Sequence, residues 1–145
     1  MRFLQRTIEG LDTTNSLGAI PPQSNDGTAV TGAAIDRLGF GAGKLMFEAA
    51  AASGDPTAAT TAVKITHCDT EDGTYEDFVE LETELSISDA VATAYDINLA
   101  GAKRYLKVVV DSTYTDGTSP ANVIAAKLVL GDSDENPADD TEVLG

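Results

Sequence analysis

The chain has 145 residues, a mass of 15.0 kDa and a formal net charge of −15, from 24 acids against 9 bases. That length suits one domain with an arm or tail attached, and the charge excludes a protein that tracks nucleic-acid phosphates or an anionic membrane surface. A single cysteine, Cys68, excludes an intrachain disulfide and a cysteine-based zinc site.

Residues 1–27 read as an extended N-terminal arm. Apolar residues are sparse (Phe3, Leu4, Ile8, Leu11, Leu17, Ile20), follow neither helical nor strand period, and are punctuated by Gly10, Gly18, Pro21, Pro22 and Gly27. Isolated apolar anchors of this kind suit docking into successive shallow pockets, with ordering deferred until binding. On this reading residues 1–27 can be removed without loss of the fold. Arg6 and Glu9 stand where a signal peptide needs its apolar core. No run approaches the ~20 apolar residues that span a bilayer. The expectation is a soluble protein made in a cytoplasm.

From residue 28 the pattern is that of strands. Thr28–Arg37 carries Val30 and Ile35 and breaks at Gly39, Gly41 and Gly43, glycines read as a tight connection. Lys44–Ala52 alternates Leu45, Phe47, Ala49 and Ala51 against Lys44, Met46 and Glu48. In Ala62–Cys68, Val63, Ile65 and His67 share a face opposite Lys64, Thr66 and Cys68. Asp72-Gly73 between alternating runs signals a hairpin returning through Tyr75–Leu81. An acidic connection, 82–90, leads to Val91–Leu99, with Tyr95, Ile97 and Leu99 on one face. Lys103–Asp111 aligns Leu106, Val108 and Val110. A loop is expected over Thr113–Pro120, and Ala121–Leu130 aligns Ile124, Ala126, Leu128 and Leu130. Residues 132–145 hold six acids and no base and read as a flexible acidic tail. The sum is an all-β chain: an antiparallel β-sandwich or jelly-roll-like domain of about seven strands over residues 28–131, between the arm and the tail.

Few residues suggest catalysis. His67 lacks a serine nucleophile in a Gly-x-Ser-x-Gly setting, and Cys68 points to the opposite face, so His67 reads as an ordinary strand-end histidine. Acids cluster from Asp69 to Asp89 and again in the tail, where calcium would find oxygens. Yet Pro137 stands where an EF-hand loop needs glycine and Val143 where it needs its closing glutamate. A solvated acidic face is the simpler reading, and no metal or cofactor is expected. Gly39–Lys44 lacks P-loop spacing, because Leu45 follows Lys44. A glycosidase pair would need a cleft with aromatic platforms, and the chain has no Trp. The protein is expected not to be an enzyme.

Three segments in order carry a resemblance: Ala34-Ile35-Asp36-Arg37-Leu38-Gly39-Phe40; Val63 to Phe78, with Asp72-Gly73 at its centre; and Gly101-Ala102-Lys103-Arg104-Tyr105 leading into Leu106–Val110. Their order and spacing over residues 33–131 resemble capsid decoration, or cement, proteins of tailed bacteriophages. The aromatic that follows the Asp-Gly turn in that family, often Trp, is here Tyr75 or Phe78. The resemblance implies a non-enzymatic β-sandwich on the outside of the virion capsid, made in the host cytoplasm. It implies the major capsid protein as partner, with homotrimers at local three-fold positions, and neither nucleic acid nor membrane. On it, Arg2, Phe3, Leu4, Arg6, Ile8 and Leu11 of the arm are the expected capsid contact. The alternative is a tail, fibre or baseplate module that binds a host glycan or receptor through exposed aromatics.

Overall fold

The computed structural model describes residues 19–85 and 89–133. They form nine antiparallel strands in two facing sheets: β1 (Ile20–Asn25), β2 (Val30–Thr31), β3 (Ile35–Asp36), β4 (Phe40–Ala49), β5 (Ala58–Cys68), β6 (Glu76–Leu85), β7 (Val91–Asn98), β8 (Tyr105–Thr115) and β9 (Asn122–Ser133). One sheet has the order β1-β9-β4-β7, the other β2-β8-β5-β6 with β3 also on β8. No helix among the described residues is long and apolar enough to cross a membrane.

The winding follows from nested pairing. β5 and β6 form a hairpin, and outward from its tip β4 pairs β7, β2 and β3 pair β8, and β1 pairs β9. The chain is thus one long hairpin rolled up so that successive pairs alternate between sheets. The roll is closed by β4 on β9 and β5 on β8. This is a jelly roll, in which β2 and β3 count as one interrupted strand. Three residues, Gly32–Ala34, there face two of β8, because the register passes from Thr31↔Val109 to Ile35↔Leu106.

The core lies between the sheets. Leu45 and Phe47 of β4, Val63 and Ile65 of β5, Leu106, Val108 and Val110 of β8, and Ile124, Leu128 and Leu130 of β9 are all fully buried. The period-2 expectation holds for each of these strands. At one end the core turns polar. Thr61 and Ser112, paired across β5 and β8, share a buried hydroxyl hydrogen bond at 2.9 Å, which satisfies both groups away from water.

The boundaries differ from the sequence reading in several strands. Ile20–Asn25, assigned to the arm, is strand β1 of the first sheet, with Ile20 and Asn25 buried and the four residues between them exposed. That pattern has no alternation to read, and Pro21 and Pro22 argue against a central strand; they are tolerated because β1 is an edge with a bulge between Ile20 and Gln23. Gly41 and Gly43, read as a connection, lie inside β4, where Gly43 pairs with both Ile97 and Leu130. β8 runs on through Thr115, because the β-branched Thr113 and Thr115 pair with Thr60 and Ala58. β6 and β9 extend to Leu85 and Ser133, into segments read as acidic connection and tail. The Asp72-Gly73 hairpin is present, but its connection spans residues 69–75, not a two-residue turn.

Candidate functional site

The three motif segments, far apart in sequence, meet at one corner of the roll. The turn after β3 places Arg37 over the connection from β7 to β8. Its Nε donates to the Lys103 carbonyl at 2.9 Å, its Nη1 to the Phe40 carbonyl at 3.1 Å, and its Nη2 to the Ala102 carbonyl. One guanidinium thus gathers three backbone acceptors, two from the β7–β8 connection and one from the start of β4, as its planar fork of donors allows. Beside it Arg104 grips Asp36: Nε lies 3.1 and 3.2 Å from the two carboxylate oxygens, and Nη2 is 2.8 Å from Oδ2. The pair closes β3 against the start of β8.

The second segment joins at the same corner. The Lys103 amide donates to His67 Nδ1 at 3.2 Å, and Lys103 Nζ reaches Glu76 at 3.0 Å and Asp69 at 4.0 Å. Nδ1 being an acceptor, the neutral ring carries its proton on Nε2. A bulge between Val79 and Asp77 leaves Phe78 as the extra residue of β6. The His67 ring stacks on Phe78 with centroids 5.0 Å apart. Cys68 is buried, its sulfur 3.9 Å from Thr70 Oγ1. On the outer surface Lys107 lies 4.2 Å from the Tyr75 ring centroid, and the Tyr75 hydroxyl donates to the Glu71 carbonyl. Burial raises that hydroxyl above its ordinary pKa.

Chemically this corner is a clasp. His67 Nδ1 meets the Lys103 amide and Cys68 Sγ meets Thr70 Oγ1, each in a neighbouring connection. Among the described residues no three His, Cys, Asp or Glu side chains converge to hold a metal ion. The expected capsid-contact residues, Arg2, Phe3, Leu4, Arg6, Ile8 and Leu11, lie outside the described residues. Arg104 has a specific partner 68 positions away; only the pairing of β3 with β8 brings them together.

The clasp has an acid signature. Hydrogen bonds from Arg104 hold the Asp36 carboxyl below its ordinary value of 3.8, against the opposing effect of partial burial. A depressed carboxylate adds stability above its unfolded pKa and loses it as pH falls through the lower folded value. Asp36→Asn is therefore expected to be less stable than the parent near pH 7. The gap in denaturant midpoint should close on acidification through and below pH 3.8. A gap independent of pH would remove the ion pair as its cause.

A second surface offers contact rather than chemistry. The outer face of the sheet β1-β9-β4-β7 carries Met46 and Val123, which are 36% and 50% exposed. Pro22, Ala92 and Ala125 line shallow depressions beside them, together with Glu48 and Lys127. Leu38, 66% exposed, stands at the turn between β3 and β4, where its amide is held by Asp36 Oδ1. Met46 and Val123 alternate with the buried Leu45, Phe47 and Ile124, and the β4–β9 register makes them parts of one surface. Among the described residues no aromatic side chain is exposed; Tyr75, Tyr95, Tyr105 and Tyr114 are all half-buried. No protein-family model matches this chain, and neither does any curated protein sequence.

Proposed function

We propose that this chain is a non-enzymatic structural protein of a phage virion, which binds the outside of the capsid and stabilises the expanded shell by bridging neighbouring major capsid subunits. The observation that carries this reading is the clasp. The three segments on which the resemblance rests interlock in one corner of a two-sheet β domain, so their residue types have a shared architectural reason. A protein that binds only the assembled lattice stabilises it by mass action. In this proposal the residues that reach the shell are Arg2, Phe3, Leu4, Arg6, Ile8 and Leu11. The half-buried tyrosines weigh against the glycan-binding alternative, which needs aromatic platforms open to solvent.

The test is binding to expanded empty capsids. Saturation at a fixed ratio of copies to capsid subunits is expected, with a rise in the capsid's own melting temperature. Deletion of residues 1–18 is expected to weaken that binding at least tenfold, about 1.4 kcal/mol or more, while leaving the domain's melting transition in place. Undiminished capsid binding by this deletion would remove the arm from the proposal; absence of binding by the full chain would remove the proposal.

A further inference from the structure

Among the described residues the two sheets end in four edges, and three of them are blunted. β6 carries five acids in its ten residues. β1 contains Pro21 and Pro22 and a bulge. β2 and β3 are two-residue pieces broken by Gly32–Ala34. These are the devices by which sheets avoid joining edge to edge. β7 has none of them. It runs for eight residues with unbroken register against β4, from Ala49↔Val91 to Ala42↔Asn98. Its only acid, Asp96, is neutralised by Lys44 at 2.7 Å. Among the described residues no strand pairs with its outer side.

The backbone groups turned outward can be named. The Leu99 amide donates to Gly41 of the segment leading into β4. In an antiparallel ladder such pairs alternate, so Thr93, Tyr95 and Ile97 also turn their N–H and C=O groups toward β4. Ala92, Ala94 and Asp96 turn theirs away. Ala92 and Ala94, whose side chains are exposed on the outer face, present no bulk to an incoming strand.

We infer that β7 is a self-association edge, which pairs antiparallel with β7 of a second copy about a two-fold axis. Two arguments select this occupant. Within a chain of net charge −15, β7 is, among the described residues, the one long edge without proline or bulge at which two copies meet without facing acids, and the second copy's other edges are closed by charge, proline or shortness. The register also fits. With Ala94 opposite Ala94 of the second copy, each Ala92 stands opposite an Asp96, so like charges never face one another. Each facing pair exchanges two N–H···O=C bonds. The contact joins two four-stranded sheets into one of eight, and it closes, because the described residues of each copy offer one such edge. The inference does not depend on the proposed capsid role.

The experiment is sedimentation of the full chain from about 1 µM to about 1 mM, a range of roughly 4 kcal/mol in detectable association. It is joined by hydrogen exchange at both ends of that range. A reversible dimer is expected, with exchange at Ala92, Ala94 and Asp96 slowing as concentration rises while β6 is unchanged. Ala94→Lys blunts the edge, and Ala94→Pro deletes only an outward N–H, which an edge strand tolerates. Each is expected to weaken dimerisation at least tenfold with the monomer still folded. A monomer throughout the range, a dimer untouched by both variants, or a closed trimer would overturn the inference. Should either variant fail to fold, the concentration dependence of exchange in the parent protein decides alone. A parent that stays monomeric but loses capsid binding on Ala94→Lys would overturn the second copy as occupant and give the edge to a capsid strand.

Discussion

Deletion of residues 1–27 is expected to cost the domain most of its stability, in contrast to deletion of residues 1–18. The longer deletion removes β1. Ile20, which is 1% exposed, contributes about 2–3 kcal/mol by its burial. Asn25 is also buried, and its side chain organises the following turn: Oδ1 accepts from the Gly27 amide at 2.9 Å, and Nδ2 donates to the Thr28 carbonyl at 3.2 Å. Its own carbonyl accepts the Tyr114 hydroxyl at 2.8 Å, and that hydroxyl also meets Asn122 Oδ1. Without β1, Tyr114 loses this acceptor and the outer side of β9 from Asn122 to Ala126 loses its ladder partner. Each of the hydrogen bonds lost adds about 0.5–1.5 kcal/mol. The total, on the order of 5 kcal/mol, is comparable to the whole stability of a typical domain. Scanning calorimetry should show a melting temperature lower by roughly 20 °C, or no cooperative transition. Equal melting of the two deletions would mean that β1 adds nothing to the fold.

This contrast also marks where the sequence was legible. Leu45, Phe47, Leu106, Val108, Ile124, Leu128 and Leu130 were assigned inward from alternation alone, and all are fully buried. Two packed sheets impose a period of two on any strand they share, and that signal survives in the sequence. β1 carried no such signal because only its two end residues meet the core. The clasp was half legible. Its segments stood out as motifs, but Asp36 and Arg104, or His67 and the Lys103 amide, become neighbours only through pairing across the roll. The openness of β7 was invisible for the same reason: whether a strand is an edge is a property of the sheet order.

Gly32→Ala is expected to be among the most damaging single substitutions in the domain, although it adds one methyl group on a half-buried connection. A Cβ at Gly32 would lie 1.7 Å from the Ala19 carbonyl oxygen and 2.7 Å from its carbon. Both are backbone atoms, so no side-chain rotation relieves the overlap. Gly32 cannot retreat either, because its amide is bonded to the Val108 carbonyl at 2.8 Å, at the register step where β2 gives way to β3. The strain must move Ala19, and Ile20 with it, off the edge of the core. The expected cost is about 3–5 kcal/mol, the scale of overpacking combined with a lost core side chain. Gly39→Ala supplies the comparison. Gly39 has a φ of +85° but nothing within 4 Å of its Cβ position. Its substitution should therefore cost only the backbone strain of about 1 kcal/mol. Denaturant midpoints of the two variants at equal slope measure the difference. Hydrogen exchange should locate it, with protection lost first at Gln23–Asn25 and their partners on β9. Gly32→Ala no more harmful than Gly39→Ala would mean that the Ala19 backbone does not lie against Gly32.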